Sequence, residues 1–125
     1  MTRDWDVIRE ILIKLEDSTS PSSILQLSDF PSEQRKIISY HSELLIEAGL
    51  INGEMIKTMG RETPEFLITR LTWNGHEFLD TIKNDTVWTK TKKSFNKSGI
   101  SMSFEIIKSV ATDTATTLVK SALGT

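Results

Sequence analysis

The chain has 125 residues, with 15 Lys+Arg against 17 Asp+Glu, no cysteine and 38% hydrophobic residues. This composition predicts an ordinary folded domain and excludes a disulfide framework and cysteine-ligated zinc. No apolar run approaches the roughly 20 residues that cross a bilayer, and the charged start at residues 1–10 lacks the apolar stretch of a signal peptide. We therefore expect a cytoplasmic protein.

The charges are unevenly distributed along the chain. Residues 1–82 contain 8 Lys+Arg against 14 Asp+Glu, residues 83–97 contain 5 against 1, and residues 98–125 contain 2 against 2. A nucleic-acid binder usually has a basic domain or stripe, because phosphate neutralisation supplies most non-specific affinity. Only the short segment 83–97 has that character.

Two amphipathic helices dominate the first half of the sequence. Apolar residues at helical spacing predict one helix over 3–16 and another over 32–48, the second capped by Ser32 and closed by Gly49. A polar loop over 17–23 separates the first helix from the run 24–27. That run fits either an edge strand or one helical turn, and we favour the strand.

The middle of the chain changes to a β pattern. Two β-prone runs, 50–57 and 66–71, flank the glycine-containing connection 58–64 and predict a hairpin, with Asn52-Gly53 either a bulge or an earlier turn. A third helix follows from Asn74 or Gly75. Residues 85–95 either continue it or form a separate helix capped by Asp85.

A polar break over 96–103 precedes a last helix over 104–123, which packs on its own core or on a second copy of the chain. The predicted fold is mostly α with a small β hairpin (α+β). We divide it into a domain over 1–97 and a C-terminal helix segment over 98–125.

Two motifs at matched spacing indicate a more specific fold. Residues 41–51, with His41, Leu45 and Ala48-Gly49-Leu50-Ile51, resemble the end of the recognition helix in winged helix-turn-helix regulators. Leu71, Thr72, Gly75 and Leu79 match the L-T-x-x-G-x-x-x-L sequence that commonly closes the wing of those regulators. The resemblance implies a winged-helix core with additional C-terminal helices, although 21–30 leaves room for at most two turns of the usual preceding helix.

A narrower resemblance covers nearly the whole chain. Residues 71–80 and 85–88, the start 3–6 and the stretch 99–104 are similar to an uncharacterised family of small bacterial and phage proteins, a domain of unknown function. The resemblance implies a phage or prophage context, and hence the host cytoplasm, but no established activity.

The winged-helix resemblance implies candidate contacts to double-stranded DNA, because such proteins use the outward face of the recognition helix and the wing. The matching positions are Arg35, Lys36, Ser39, Tyr40, Lys57 and Arg61. Glu43 and Glu47 lie near these positions in the sequence and carry the opposite charge.

Other residues have competing interpretations. The lysines of the basic segment, interleaved with two aromatic residues, form either a phosphate-contacting strip with stacking aromatics or a solvated helix face whose aromatics belong to the core. We favour the solvated face. The residues are Lys83, Lys90, Lys92, Lys93 and Lys97, with Trp88 and Phe95. We expect Trp5, Trp73 and Trp88 to anchor the core, and His41 to be a satisfied, partly buried histidine.

Catalytic chemistry is not indicated. His76-Glu77 begins like the zinc-protease motif H-E-x-x-H, but Asp80 replaces the second histidine. Phosphate-binding glycine loops and nucleophile motifs are missing, so we expect no enzyme activity, metal or cofactor.

Two hypotheses for the function follow from the sequence. The first is a DNA-binding regulator, dimeric through the C-terminal helix, and the second is a module that binds a host protein and uses the winged helix as scaffold.

Overall fold

The computed structural model describes residues 1–18, 20 and 22–124. Thr19 and Pro21, which belong to the predicted loop, and Thr125 at the end of the last segment lie outside the described residues. The described elements are α1 (Trp5–Glu16), β1 (Leu25–Gln26), 3-10 turns at Leu27–Asp29 and Ser32–Gln34, α2 (Arg35–Glu47), β2 (Ile51–Ile56), β3 (Glu65–Leu71), α3 (Trp73–Ile82), α4 (Asp85–Ser98) and α5 (Phe104–Ala122). The fold is therefore α+β, as expected.

The sheet is antiparallel and has the order β1-β3-β2. The favoured strand is confirmed for the middle of the run 24–27, because Leu25 pairs with Ile68 and Gln26 with Leu67, whereas Leu27 begins a 3-10 turn. The register shifts between Asn52 and Gly53, which confirms a bulge there rather than a turn. The shift leaves Thr69 as the extra residue of β3.

That bulge explains the burial pattern of β3. Phe66, Ile68 and Leu71 are buried, so the simple alternation of inward and outward residues slips by one position after Ile68. Thr69 lies at the slip and donates its hydroxyl to the Asn52 carbonyl (3.2 Å). The bulge therefore keeps both ends of β3 packed on the same side of the sheet.

The chain divides into two compact units, residues 1–77 (unit 1) and 78–125 (unit 2). In unit 1, α1 packs against α2 and β3, and its buried side chains are Trp5, Ile8, Ile11, Leu12 and Leu15. In unit 2, α4 packs against α5, and Phe78 stacks on Phe104 with ring centroids 4.6 Å apart. The sequence boundary predicted between 97 and 98 falls inside unit 2, near the end of α4.

Two predicted helix starts are wrong. Ser32 does not cap α2, because Ser32–Gln34 forms a 3-10 turn after Pro31 and no side chain caps α2. α4 is a separate helix, but its cap is Asn84, whose side-chain oxygen accepts a hydrogen bond from the Val87 amide (3.0 Å), and not Asp85. Asp85 instead occupies the first helical position, where its negative charge interacts favourably with the positive end of the helix dipole.

Candidate nucleic-acid interface

α2 and the β2–β3 hairpin form one surface of unit 1. The buried side of α2 carries Ile38, His41 and Leu45. In its N-terminal half, Ser39 donates its hydroxyl to the Pro64 carbonyl of the hairpin connection (2.7 Å). α2 ends at Glu47, and the following Gly49, with a φ of 73°, allows the reversal into β2.

The structure brings three of the predicted cations together on this surface. The Lys36, Lys57 and Arg61 side chains are 65%, 65% and 64% exposed. Arg35 is half-buried and donates from Nε to the Phe30 carbonyl (3.1 Å). Tyr40 is also half-buried, with its ring edge-on to His41.

Each of the three exposed cations has a carboxylate partner. Lys36 pairs with Glu62 (2.9 Å), Lys57 with Glu43 (2.7 Å) and Arg61 with Glu65 (3.1 Å). The first two pairs join α2 to the hairpin. Because exposed ion pairs stabilise a protein by only about 0–1 kcal/mol, another anion such as phosphate can replace these carboxylates. We call these six residues the paired face.

The pairing shifts two ionisation equilibria. The hydrogen bond and charge of Glu43 raise the pKa of Lys57 above its usual value. The hydrogen bond and charge of Lys36 lower the pKa of the Glu62 carboxyl. Both shifts favour the charged forms, which these side chains already adopt at neutral pH, so the two ion pairs are formed there.

Ser39 does not belong to the exposed surface. We predicted it as a DNA contact, but it is only 2% exposed, because the hairpin connection folds over this point of α2. Its hydroxyl is already used in the bond to Pro64. A shallow depression of about 160 Å³ beside it is lined by Lys36, Tyr40, Glu43 and Glu62 among others.

The two sequence motifs meet at one structural junction. The Thr72 hydroxyl donates to the Gly49 carbonyl (2.6 Å) and accepts from the Gly75 amide (3.0 Å), while the Thr72 amide donates to the Leu50 carbonyl (3.0 Å). A Cβ at position 75 would overlap that same Leu50 oxygen. The motif residues at this junction therefore connect the end of α2 to the start of α3.

His41 makes the satisfying hydrogen bonds expected of it, but it is buried more completely than predicted. Its ring is fully buried, with Nδ1 2.7 Å from the Ile37 carbonyl and Nε2 accepting from the Asp4 amide (2.7 Å). Since Nε2 accepts, Nδ1 carries the proton and donates to Ile37. This neutral histidine joins α2 to Asp4, the N-cap residue of α1.

The tryptophans divide into two classes. Trp5 and Trp88 are buried as expected, but Trp73 is 76% exposed, so its assignment to the core is wrong. Trp73 is the first residue of α3, and the spacing of apolar residues within a single turn does not indicate which side of the helix faces the core. In α4, Trp88 and Phe95 are buried, so the lysines of that helix have no exposed aromatic to stack bases.

The comparisons identify the family. A family model described as a hypothetical protein (DUF2513) matches residues 2–101. The chain belongs to this family. It is also 40% identical, over 111 residues, to a protein of Haemophilus influenzae described as an uncharacterized protein; the alignment covers 89% of this chain and 92% of that protein. No solved structure matches the chain.

The DUF2513 match confirms the resemblance to a domain of unknown function. It includes unit 1, α3 and α4, and it ends before α5. The ion-pair partners Glu62 and Glu65 were missed as part of the surface, since nothing local in the sequence relates Glu62 to Lys36, 26 positions away. Across the described residues, no helix has both the length and the apolar character needed to span a membrane.

Proposed function

We propose that this DUF2513 protein binds double-stranded DNA through the paired face, in the manner of a winged-helix regulator. The observation that carries the proposal is that Lys36, Lys57 and Arg61, from α2 and from both sides of the hairpin tip, lie on one surface with about two-thirds of each side chain exposed. The order of helix, short strand, helix and hairpin supports it, because winged helices present that helix and hairpin to DNA.

Because the paired face contains both cations and carboxylates, substitutions there should change DNA affinity in opposite directions. Replacing Lys36, Lys57 and Arg61 together by Ala removes three phosphate partners, whereas replacing Glu43, Glu62 and Glu65 by Gln removes three negative charges from the same surface. The first variant should weaken DNA binding roughly 100-fold and lower the salt slope, meaning the steepness with which log affinity falls with log salt concentration, by about 2–3. The second variant should strengthen binding. Replacing Glu10, Glu77 and Glu105 together by Gln removes three negative charges from positions outside the paired face and is the control for a change in net charge.

The assay is fluorescence anisotropy with a labelled duplex from upstream of the protein's own gene, compared with a duplex of unrelated sequence. Tighter binding to the first duplex supports a regulator, for which a phage or prophage operon is the proposed context. Equal DNA affinity of both triple variants and the parent chain would exclude the paired face as the interface.

We propose that the DNA-binding form is a dimer through α5. Beyond Ala111 no described residue of that helix is buried, and Val119 and Leu123 are 59% and 73% exposed. A dimer would double the number of phosphate contacts. Val119→Glu should then shift the sedimentation coefficient from dimer to monomer and weaken DNA binding, while a parent chain that sediments as a monomer would contradict this.

Binding of a host protein is the second candidate, and exposed Trp73 favours it. Tryptophan at the centre of an interface often supplies a large part of the binding energy. Unit 1 also carries 8 Lys+Arg against 13 Asp+Glu, a balance that repels nucleic acid. One host protein that copurifies stoichiometrically with the parent chain and is lost in Trp73→Ala would support this candidate. Retention of DNA alone would count against it.

A further inference from the structure

Unit 2 has the opposite charge balance from unit 1. Residues 78–125 contain 7 Lys+Arg against 4 Asp+Glu. Lys90, Lys93 and Lys97 follow one another at helical spacing on α4, and all three are exposed. Within the part of the chain that the structure describes, their ammonium groups have no carboxylate in ion-pair distance, in contrast to the cations of the paired face.

The packing of α4 fixes where these lysines point. Val87, Trp88, Thr91 and Phe95 form the buried side of the helix. The lysines lie away from that side and line a groove of about 770 Å³ with α5, which we call the lysine groove. Its other lining residues include Asn96, Thr114 and Thr117, and none of the described residues that line it is acidic.

Three unpaired ammonium groups on one helix face repel one another. Like charges one turn apart destabilise a helix, so this arrangement does not serve the stability of α4. Lys90 to Lys97 spans about 10 Å along the helix axis. That length matches the rise of about three nucleotides of one DNA strand, and the lining hydroxyl and amide groups add hydrogen-bonding capacity for phosphate oxygens.

We propose that the lysine groove binds the sugar–phosphate backbone of nucleic acid, as a second set of contacts in addition to those of the paired face. This proposal deepens the DNA-binding function proposed above, but it depends on different residues. Because Trp88 and Phe95 are buried, the groove offers no exposed aromatic from α4 for stacking. Its contacts would go to phosphate oxygens, which carry no sequence information, so binding in the groove should be independent of base sequence and strongly dependent on salt.

The test replaces Lys90, Lys93 and Lys97 together by Gln and measures duplex affinity between about 50 and 200 mM salt. The expected result is a salt slope lower by about 2–3 and a loss of affinity of roughly 100-fold at the lower salt, equal for related and unrelated duplexes. The matched control, Lys14, Lys108 and Lys120 to Gln, removes the same charge from other positions and should change the slope by less than 1.

A single substitution provides a second measurement. Asn96→Asp places one carboxylate in the lysine groove with almost no change in side-chain shape, and it should weaken duplex binding several-fold. Circular dichroism establishes that each variant is folded. An unchanged affinity in both folded variants would overturn the proposal.

The outcomes separate this proposal from the one for the paired face. If only the paired-face variants lose affinity, the lysine groove is not a nucleic-acid site; if only the groove variants do, the groove stands and the winged-helix mode fails. Poly-glutamate bound as tightly as a duplex, with the same dependence on the three lysines, would assign the groove to an acidic protein segment and overturn the proposal.

Discussion

The substitution Gly75→Ala tests the junction between the two sequence motifs. Gly75 lies in the first turn of α3, where alanine normally stabilises a helix by about 1 kcal/mol relative to glycine. Here the added Cβ would overlap the Leu50 carbonyl oxygen, which already accepts the Thr72 amide (3.0 Å). At this junction we therefore expect a glycine-to-alanine substitution to destabilise the protein instead of stabilising it.

The magnitude follows from opposing contributions. Overpacking against a backbone atom costs about 1–3 kcal/mol, and displacing the Leu50 oxygen weakens a hydrogen bond contributing about 1 kcal/mol. After the alanine propensity is subtracted, Gly75→Ala should lower the free energy of unfolding by about 2 kcal/mol. For a unit of this size that corresponds to a fall in Tm of roughly 10 °C.

Urea and thermal unfolding followed by circular dichroism measure this change. Asn74→Ala is the control, since Asn74 is exposed in the same turn of α3 and alanine should there keep its usual stabilising effect. A Gly75→Ala variant as stable as the parent chain, or more stable, would refute the close approach of α3 to the end of α2.

Three further predictions concern caps and ion pairs. Thr72→Val should lower the free energy of unfolding by about 1–2 kcal/mol, and Thr72→Ser should recover most of it, as read by urea denaturation. Asn84→Ala should cost about 1 kcal/mol and Asp85→Ala clearly less, because only Asn84 accepts the hydrogen bond of the cap; an equal loss would contradict this. Lys36→Ala should raise the pKa of Glu62, measured by carboxyl-carbon NMR.

The sign of the Glu62 effect gives its pH window. A carboxyl whose pKa is lowered by folding contributes stability above its unfolded pKa and loses that contribution as the pH falls through the folded pKa. The pair with Lys36 is therefore complete at neutral pH and is lost in acid. DNA that takes Lys36 from Glu62 should raise the same pKa, which connects this titration to the proposed interface.

Local sequence rules predicted the elements with strong periodicity or a specific backbone requirement. α1, α2 and α5 have apolar residues at helical spacing, and Gly49 has the positive φ expected at the end of α2. The start of α4 was harder, because Asn84 and Asp85 are adjacent residues that both cap helices well. Only the geometry of the chain selects between them.

The candidate interface depended on contacts that no local rule contains. Lys36 and Lys57 were predicted as cations of one surface, but their partners Glu62 and Glu43 come from distant positions in the chain. Ser39 was misplaced for the same reason, since its burial depends on the position of Pro64 in the hairpin connection. Periodicity gives the face of a helix, while the segment that covers this face follows from tertiary packing.

The decisive measurement for DNA binding by this protein is the salt dependence of duplex affinity in the parent chain. The paired face offers three cations and the lysine groove three more, so the slope of log affinity against log salt should reach about −3 to −5 for a monomer and steeper values for a dimer. Failure to bind a duplex at about 50 mM salt, or an affinity that does not change with salt, would contradict DNA binding by this protein.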